Sequence, residues 1–291
     1  MLVNFTFIGI MAPVFTIFNP DFSINVEKIP SYANYLLDSG IHGVLIGATS
    51  GEGTSLSVQE RKNITEAWAN AVKSTHQHLM VQVGGAPFPD VLELARHAES
   101  MGADSILTMP ELYFKPKKTQ ELINYLKFIS AAAPRTPLLY YHNPGHTSVN
   151  IDMAEMLEMA SGQIPNLKGI KYTSNDLAGG YAALQAVNGR YTVFIGGDYL
   201  IEPAFALGFD SAIATSMNVL PRYSIEMLQS VKESNLEKAK SLQQNLTRFV
   251  DTLKKYGKYN VSPNFATEEV TLKKQNIIKY KACLIKPTVV S

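Results

Sequence analysis

Lys171 is the residue of this chain with the clearest chemical potential. It ends the short apolar run Leu167–Lys171, and a helix is predicted to begin at Asp176. Burying an ammonium without a partner is costly, and burial lowers the pKa of a lysine, which frees its amine to attack a carbonyl carbon. The alternative is a lysine whose ammonium reaches the surface along its aliphatic stem, and this run alone favours that simpler interpretation.

Other residues suited to catalysis also follow apolar runs. The turn Gly47–Gly53 carries two hydroxyls, Thr49 and Ser50, between glycines, and the segment Tyr140–Pro144 provides a phenol. Such a turn can hold a carboxylate, although glycine, serine and threonine are common in ordinary turns as well. An amine, a phenol and a carboxylate-binding turn at one opening fit Schiff-base chemistry on a 2-oxo acid. The iminium draws in the electron pair of a neighbouring C–C bond, and the phenol transfers the proton.

An alternation of strands and helices would bring these residues together. Short apolar runs are followed by longer stretches with helical spacing, as parallel strands covered on both faces require. Eight such units predict an α/β fold, a closed (β/α)8 TIM barrel, with functional residues at the carboxyl ends of its strands. A doubly wound open sheet is the alternative, but the stretch after strand one, Phe15–Pro20, contains no glycine for a phosphate loop. The predicted strands are Phe7–Val14, His42–Ile46, Leu79–Val83, Asp104–Thr108, Pro137–Tyr141, Leu167–Lys171, Thr192–Ile195 and Ser211–Ala214.

Two regions are predicted along the chain. Residues 1–234 form the catalytic barrel, and residues 235–291 form a C-terminal helical extension with an atypical tail. Within the extension, Leu236–Tyr256 has the spacing of an added amphipathic helix, whereas Gly257–Ser291 is rich in lysine and weakly patterned. No linker, low-complexity run or internal repeat marks a further boundary.

Composition excludes several classes of function. The chain has 291 residues, is 46% hydrophobic and 18% charged, and carries a net charge of +1, so nothing indicates a nucleic-acid or membrane partner. A single cysteine, Cys283, rules out an intrachain disulfide and favours a cytoplasmic location. The apolar segment Met1–Phe18 lacks the basic start of a signal peptide and the length of a membrane span. The histidines show no metal-ligand spacing and no phosphate loop is present, so we expect no metal and no cofactor.

Three segments together resemble the pyruvate-dependent class I aldolases, the family that includes N-acetylneuraminate lyase and dihydrodipicolinate synthase. Ala48–Glu52, followed by Ser55–Arg61, is similar to the family's carboxylate-binding loop and the helix after it. Tyr140–Pro144 resembles its tyrosine motif, most closely that of animal N-acetylneuraminate lyases, and Gly169–Ser174 resembles its Schiff-base motif. The resemblance runs from about residue 9 to about residue 256.

The resemblance implies a role for each matching residue. Lys171 would form the Schiff base, and Tyr141 would transfer the proton. Thr49 and Ser50 would bind the pyruvate carboxylate. The sugar portion would be contacted by Thr173, Gly196, Asp198 and Thr215. Tyr113 would reach the site of a neighbouring subunit. Contact between subunits at Tyr113 implies a homotetramer.

Two departures bear on the substrate. Tyr199 follows Asp198, where sialic acid lyases usually have a glutamate that contacts the glycerol tail of the sugar. His146 stands where dihydrodipicolinate synthases have an arginine for a second carboxylate, which argues against their substrate.

The leading expectation is therefore reversible cleavage of N-acetylneuraminate into pyruvate and N-acetylmannosamine. One alternative keeps the lysine chemistry but uses 4-hydroxy-2-oxoglutarate or a 2-keto-3-deoxy sugar acid. A second alternative is a catalytically silent barrel that binds small acids or a partner.

Several nearby residues are expected to have structural roles. Tyr140 should pack behind its strand, because alternate strand residues face opposite sides. His142 should be a hydrogen-bonded wall residue, and Lys168 should face away from Lys171. Glu52 is expected to orient its loop or cap the next helix.

Overall fold

The chain forms a closed barrel of eight parallel strands in sequential order, with helices between them. The computed structural model describes residues 3–255 and two short strands at 269–270 and 280–281. This confirms the predicted (β/α)8 fold class. The barrel strands are β1 (Ile10–Pro13), β2 (Gly43–Ile46), β3 (His78–Gln82), β4 (Ser105–Thr108), β5 (Leu138–His142), β6 (Leu167–Tyr172), β7 (Thr192–Ile195) and β8 (Ser211–Ile213).

The helices cover the outside of the barrel. They are α1 (Ile29–Asp38), α2 (Val58–Thr75), α3 (Phe88–Ser100), α4 (Thr119–Ala132), α5 (Pro144–Thr147), α6 (Met153–Ala160), α7 (Leu177–Gly189), α8 (Ile201–Ala206), α9 (Pro221–Lys232) and α10 (Leu236–Lys255). The short helix α5 was not expected from the sequence. In the described part of the chain, no helix is both long enough and apolar enough to cross a bilayer.

The strands alternate between two apolar cores. Their outward residues, such as Leu79, Val81 and Ile170, join the large core between the sheet and the helices. Inward residues, such as Met80 and Leu107, form a smaller core inside the barrel. Because the side-chain period of a strand is two residues, the position of each residue along its strand determines which core it enters.

The N-terminal segment closes one end of the barrel instead of extending the first strand. The predicted strand Phe7–Val14 was too long, since β1 begins at Ile10. Phe5 and Phe7 pack against the inner core, and the ring of Phe7 stacks on that of Phe194 with centroids 6.2 Å apart. These rings fill the mouth at the amino ends of the strands.

Local sequence signals explain how α2 begins. Ser57 accepts a hydrogen bond from the backbone of Glu60, and the Glu60 carboxylate accepts one from the backbone of Ser57, which forms a capping box. Of the two roles expected for Glu52, capping this helix is therefore excluded, and orienting its loop stays a prediction. Glu52 lies in the loop with a left-handed backbone (φ 52°), and burial raises the pKa of its carboxyl group.

The C-terminal extension is described in part. Helix α10 agrees with the predicted helix Leu236–Tyr256 to within one residue. Strands β9 (Glu269–Val270) and β10 (Tyr280–Lys281) pair antiparallel. The other residues of the predicted tail, 257–291, lie outside the described part, and the division at residue 234 stays a prediction.

Candidate active site

Lys171 lies on the inward face of β6, near its carboxyl end. Its neighbours in register are Tyr141 on β5 and Phe194 on β7. The side chain is only 4% exposed, and Nζ lies 4.1 Å from the centroid of the Tyr141 ring. The lysine is therefore enclosed by the barrel and does not reach the surface, which excludes the simpler interpretation of this run.

The Tyr141 hydroxyl lies at the centre of a small hydrogen-bond network. Its Oη is 3.2 Å from Thr49 Oγ1 and accepts a hydrogen bond from Asn143 Nδ2 at 3.1 Å. Burial by itself raises the pKa of Tyr141, but the positive charge of the nearby Lys171 side chain and the hydrogen bonds outweigh it, so that the pKa lies below its usual value. This phenol is thus suited to give up and regain a proton.

The loop after β2 brings two hydroxyls to the same opening. The amides of Gly51, Glu52 and Gly53 donate to carbonyls within the loop, so they close the turn. The two hydroxyls of the loop point towards the opening of the barrel. The Thr49 hydroxyl contacts that of Tyr141, and Ser50 Oγ lies 2.9 Å from Thr215 Oγ1. The carboxylate-binding capacity expected of this turn therefore rests on hydroxyls more than on these three amides.

Gly196 leaves space beside the lysine. A Cβ at this position would lie 2.0 Å from Thr173 Oγ1 and 3.4 Å from Lys171 Cε. A larger residue would therefore displace Thr173. The Thr173 hydroxyl is buried and has no hydrogen-bond partner among the described residues.

Asp198 and Tyr199 follow β7, and both form hydrogen bonds with residues of helix α10. Asp198 is 6% exposed; its carboxylate accepts a hydrogen bond from Ser216 N at 3.1 Å, and its carbonyl accepts one from Gln243 Nε2 at 2.8 Å. The Tyr199 hydroxyl donates to Asp251 at 2.7 Å. Helix α10 therefore positions the segment after β7.

Comparison with known proteins identifies the family. The model of the dihydrodipicolinate synthetase family matches residues 6–280. The chain belongs to this family. The N-acetylneuraminate lyase of Danio rerio is 33% identical over 258 residues, which cover 88% of this chain and 84% of the relative.

Solved structures of the dihydrodipicolinate synthetase fold superpose closely on the chain. The N-acetylneuraminate lyase (sialic acid aldolase) of Aliivibrio salmonicida has a TM-score of 0.84 at 30% identity, with 88% of this chain and 84% of that chain covered. A prophage protein of the dihydrodipicolinic acid synthase family from E. coli K12, solved in complex with pyruvate, has a TM-score of 0.78 at 26% identity, with 85% and 83% covered.

One predicted residue of this dihydrodipicolinate synthetase family member lies apart from the others. Tyr113, in the loop after β4, is 83% exposed, and its ring contacts only the equally exposed ring of Phe114 among the aromatic contacts of the described residues. Within a single chain it does not join the site around Lys171. Its expected contact with a neighbouring subunit stays a prediction.

The residues expected to have structural roles mostly do. Tyr140 is fully buried in the outer core, and burial raises its pKa. His142 stacks on Tyr172 with ring centroids 5.0 Å apart, and burial lowers the pKa of His142 to about 4. It is a wall residue as expected, but its Nδ1 has no hydrogen-bond partner in the described structure. Lys168 binds the carbonyl of Pro165, away from Lys171.

Some residues at the site were not singled out from the sequence. Asn143 donates to the Tyr141 hydroxyl, although it was noted only as part of a motif. Gln243 lies on the buried stripe of α10 with Ala239, Leu246 and Val250, where a glutamine among apolar residues could have indicated a polar contact. Among the described residues, no cluster of three or more His, Cys, Asp or Glu side chains could hold a metal ion.

Proposed function

We propose that this protein is a class I aldolase that forms a Schiff base through Lys171 and cleaves N-acetylneuraminate. The observation that carries the proposal is the burial of Lys171 against Tyr141, whose hydroxyl is shared with Thr49. The relatives named N-acetylneuraminate lyase, at about one-third identity over most of the chain, support this substrate. The related protein solved in complex with pyruvate supports the 2-oxo acid chemistry.

The reaction begins with condensation at C2 of the open-chain sugar acid. The Lys171 amine adds through its nitrogen lone pair to the keto carbon, and the keto oxygen, after receiving protons, leaves as water. The product is an iminium between Nζ and C2. Tyr141 donates a proton to the keto oxygen, since its ring centroid lies 4.1 Å from Nζ.

Cleavage follows at the C3–C4 bond. The Tyr141 phenolate takes the proton of the C4 hydroxyl, the electron pair of the C3–C4 bond moves to the iminium to give an enamine, and N-acetylmannosamine leaves as the aldehyde. Tyr141 then returns its proton to C3, and water hydrolyses the iminium to release pyruvate and restore Lys171. The positive charge at the Lys171 nitrogen stabilises the phenolate, and hydrogen bonds to Thr49 and Asn143 add to it, in keeping with the lowered pKa of Tyr141.

The remaining side chains bind the substrate. Thr49 and Ser50 hold the carboxylate, and Ser50 exchanges its contact with Thr215 for one with the acid. The unpartnered Thr173 hydroxyl, beside Gly196, faces the C4 hydroxyl and the sugar. Asp198, Thr215 and Tyr199 line the sugar portion.

Trapping with pyruvate and borohydride tests the proposal. Reduction should fix a pyruvyl adduct on Lys171, detected by intact mass and located by peptide mapping. Lys171→Ala should give no adduct and no turnover. Lys168→Ala is the matched control on the same strand, because Lys168 binds the Pro165 carbonyl and should leave trapping unchanged. A folded wild-type protein without an adduct would favour the silent barrel.

The choice of aldehyde needs a separate measurement. Progress curves with N-acetylneuraminate, 4-hydroxy-2-oxoglutarate and a 2-keto-3-deoxy sugar acid should show fastest cleavage of N-acetylneuraminate. Because Tyr199 is proposed to line the sugar portion, Tyr199→Phe should raise KM for N-acetylneuraminate about 3- to 10-fold while pyruvate trapping is unchanged. An unchanged KM would remove its hydroxyl from substrate binding.

A homotetramer accompanies this function. Tyr113 and Phe114, 83% and 81% exposed, offer an aromatic contact that a neighbouring subunit would cover. Sedimentation should report four chains, and Tyr113→Ala should lower kcat; a fully active monomer would contradict this assembly. We also infer a cytoplasmic location from the single cysteine, which cell fractionation would test.

A further inference from the structure

We propose that the side-chain amide of Gln82 is a further substrate-binding residue, donating a hydrogen bond to the carboxylate of the bound 2-oxo acid. This inference rests on the proposed function and adds to it a donor from β3. Its basis is a buried amide nitrogen without a hydrogen-bond partner among the described residues, on a residue that the sheet register places at the level of Tyr141.

Gln82 occupies an inward position on β3. Val81 joins the outer core and Met80 joins the inner core, so the alternation along the strand directs Gln82 into the barrel. Gln82 is the last residue of β3, at the carboxyl end, where the other candidate residues also lie. The side chain is 2% exposed.

The sheet register puts Gln82 in one layer with Tyr141. Gln82 pairs with Leu107 on β4, and Leu107 pairs with Leu139 on β5. In an eight-stranded barrel the strands tilt, so that a line of constant height advances about one residue along each successive strand. Two strands on from β3, the residue at the height of Gln82 is therefore two beyond Leu139, which is Tyr141. Alternate strands supply the side chains of one such layer.

The orientation of the amide follows from its surroundings. Oε1 accepts a hydrogen bond from Gly84 N at 2.7 Å, and exchanging the two ends of the amide would set an NH2 group against that N–H. Arg61 Nη2 donates to the backbone carbonyl of Gln82 at 2.7 Å, which fixes the end of the strand. The two N–H groups on Nε2 consequently point away from Gly84 and have no partner among the described residues.

A second buried glutamine shows what complete pairing looks like. Gln77 is 3% exposed; its Nε2 donates to the Ile41 carbonyl at 2.8 Å, and its Oε1 accepts from Thr75 at 2.9 Å. The unpaired Tyr140 hydroxyl faces the outer core, whereas Gln82 faces into the barrel at the carboxyl end, where a ligand can supply the missing partner.

The chemistry of pyruvate identifies the acceptor. Once the Schiff base has formed, the keto oxygen has left as water and the methyl group accepts nothing, so the carboxylate oxygens are the only acceptors that remain. A carboxylate offers about four lone-pair sites, enough for Thr49, Ser50 and Gln82 together. The Gln82 amide therefore contributes to holding the acid for the reaction at C2.

Gln82→Glu is the test, because it keeps the size of the side chain and the oxygen that accepts from Gly84, and replaces only the donor. The half-saturating pyruvate concentration for reductive trapping on Lys171 should rise about 10- to 100-fold. The ratio of variant to wild type should grow between pH 5 and pH 8, as the new carboxyl group ionises and repels the acid. A purely structural role would not produce this pH dependence.

Two further variants keep the result interpretable. Gln77→Glu, at the matched buried site, should lower the melting temperature and leave pyruvate trapping unchanged. Should Gln82→Glu not fold, Gln82→Met, which also lacks the donor, should show the same weakening. Wild-type-like half-saturation in a folded Gln82 variant would overturn this inference while leaving the aldolase intact. Absence of an adduct in the wild type would overturn the proposed function and this inference with it.

Discussion

Each end of β3 carries an inward-facing polar side chain, but the two side chains differ in whether they have a hydrogen-bond partner. At the amino end, the inward-facing His78 is 2.8 Å from Ser105 Oγ and packs against the rings of Phe5 and Phe7. At the carboxyl end, four residues later on the same face, Gln82 Nε2 has no partner in the described structure. One strand thus carries a hydrogen-bonded polar side chain at its amino end and an unpaired amide nitrogen at its carboxyl end.

The same contrast holds around the barrel. Near the amino ends, Ser211 Oγ accepts from Gly9 N at 3.1 Å and donates to Asp210 at 2.8 Å. Near the carboxyl ends, the buried Thr173 hydroxyl is unpaired among the described residues. An unpaired buried donor reduces stability unless a ligand completes it. The amino end therefore contributes stability, and the carboxyl end retains unpaired groups where we propose that the substrate binds.

The sharpest test of this contrast compares two adjacent tyrosines. Tyr141→Phe should lower kcat about 10²- to 10⁴-fold, because it removes the phenol that we propose carries the proton. Steady-state kinetics with N-acetylneuraminate measure the effect. An unchanged kcat would remove Tyr141 from proton transfer.

Tyr140 provides the matched control. Its hydroxyl is buried in the outer core without a partner among the described residues. Tyr140→Phe should leave kcat unchanged and keep or raise the melting temperature, since an unsatisfied buried hydroxyl is removed. A loss of activity equal to that of Tyr141→Phe would show that the two faces of β5 are not functionally distinct.

A substitution at the amino end of the barrel should lower stability and leave turnover nearly unchanged. His78→Ala should lower the free energy of unfolding by about 2–3 kcal/mol, because it leaves Ser105 unpaired and opens a cavity under the aromatic rings. Turnover per folded molecule should stay within about 2-fold of the wild type. Denaturant unfolding and kinetics on the same sample measure both effects. His42→Ala, at an exposed histidine, should change neither.

A smaller effect is expected in the pH dependence of stability. Burial lowers the pKa of His142 to about 4, against about 6.5 when unfolded, so between these values the unfolded chain binds more protons. Stability should therefore fall as the pH drops from 6.5 towards 4, and His142 should account for about 2 kcal/mol of the loss between pH 7 and pH 5.

His142→Phe tests this contribution, because phenylalanine can keep the stacking on Tyr172 without titrating. The variant should lose less stability than the wild type when unfolding is compared at pH 7 and pH 5. Equal losses would show that His142 does not remain neutral in the folded protein.

Local patterns predicted much of the architecture. Seven of the eight strands begin and end within about two residues of their predicted bounds, and the alternation of side chains on β5 correctly separated Tyr140 from Tyr141. The first strand was predicted too long because Phe5 and Phe7 are apolar for a different reason: they fill the barrel mouth. Gln82 was overlooked, although a glutamine within an otherwise apolar strand was visible in the sequence.

The sequence by itself determined the order of strands and helices and the position of polar residues at strand ends, because both follow from local periodicity. Only the tertiary structure decided which of those residues meet. Thr49 and Tyr141 are 92 residues apart, and Ser50 and Thr215 are 165 apart. Closure of the barrel brings them within hydrogen-bonding distance, and the same closure leaves Gln82 and Thr173 unpaired in the described structure. Such pairings depend on register and tilt around all eight strands, which no local segment encodes.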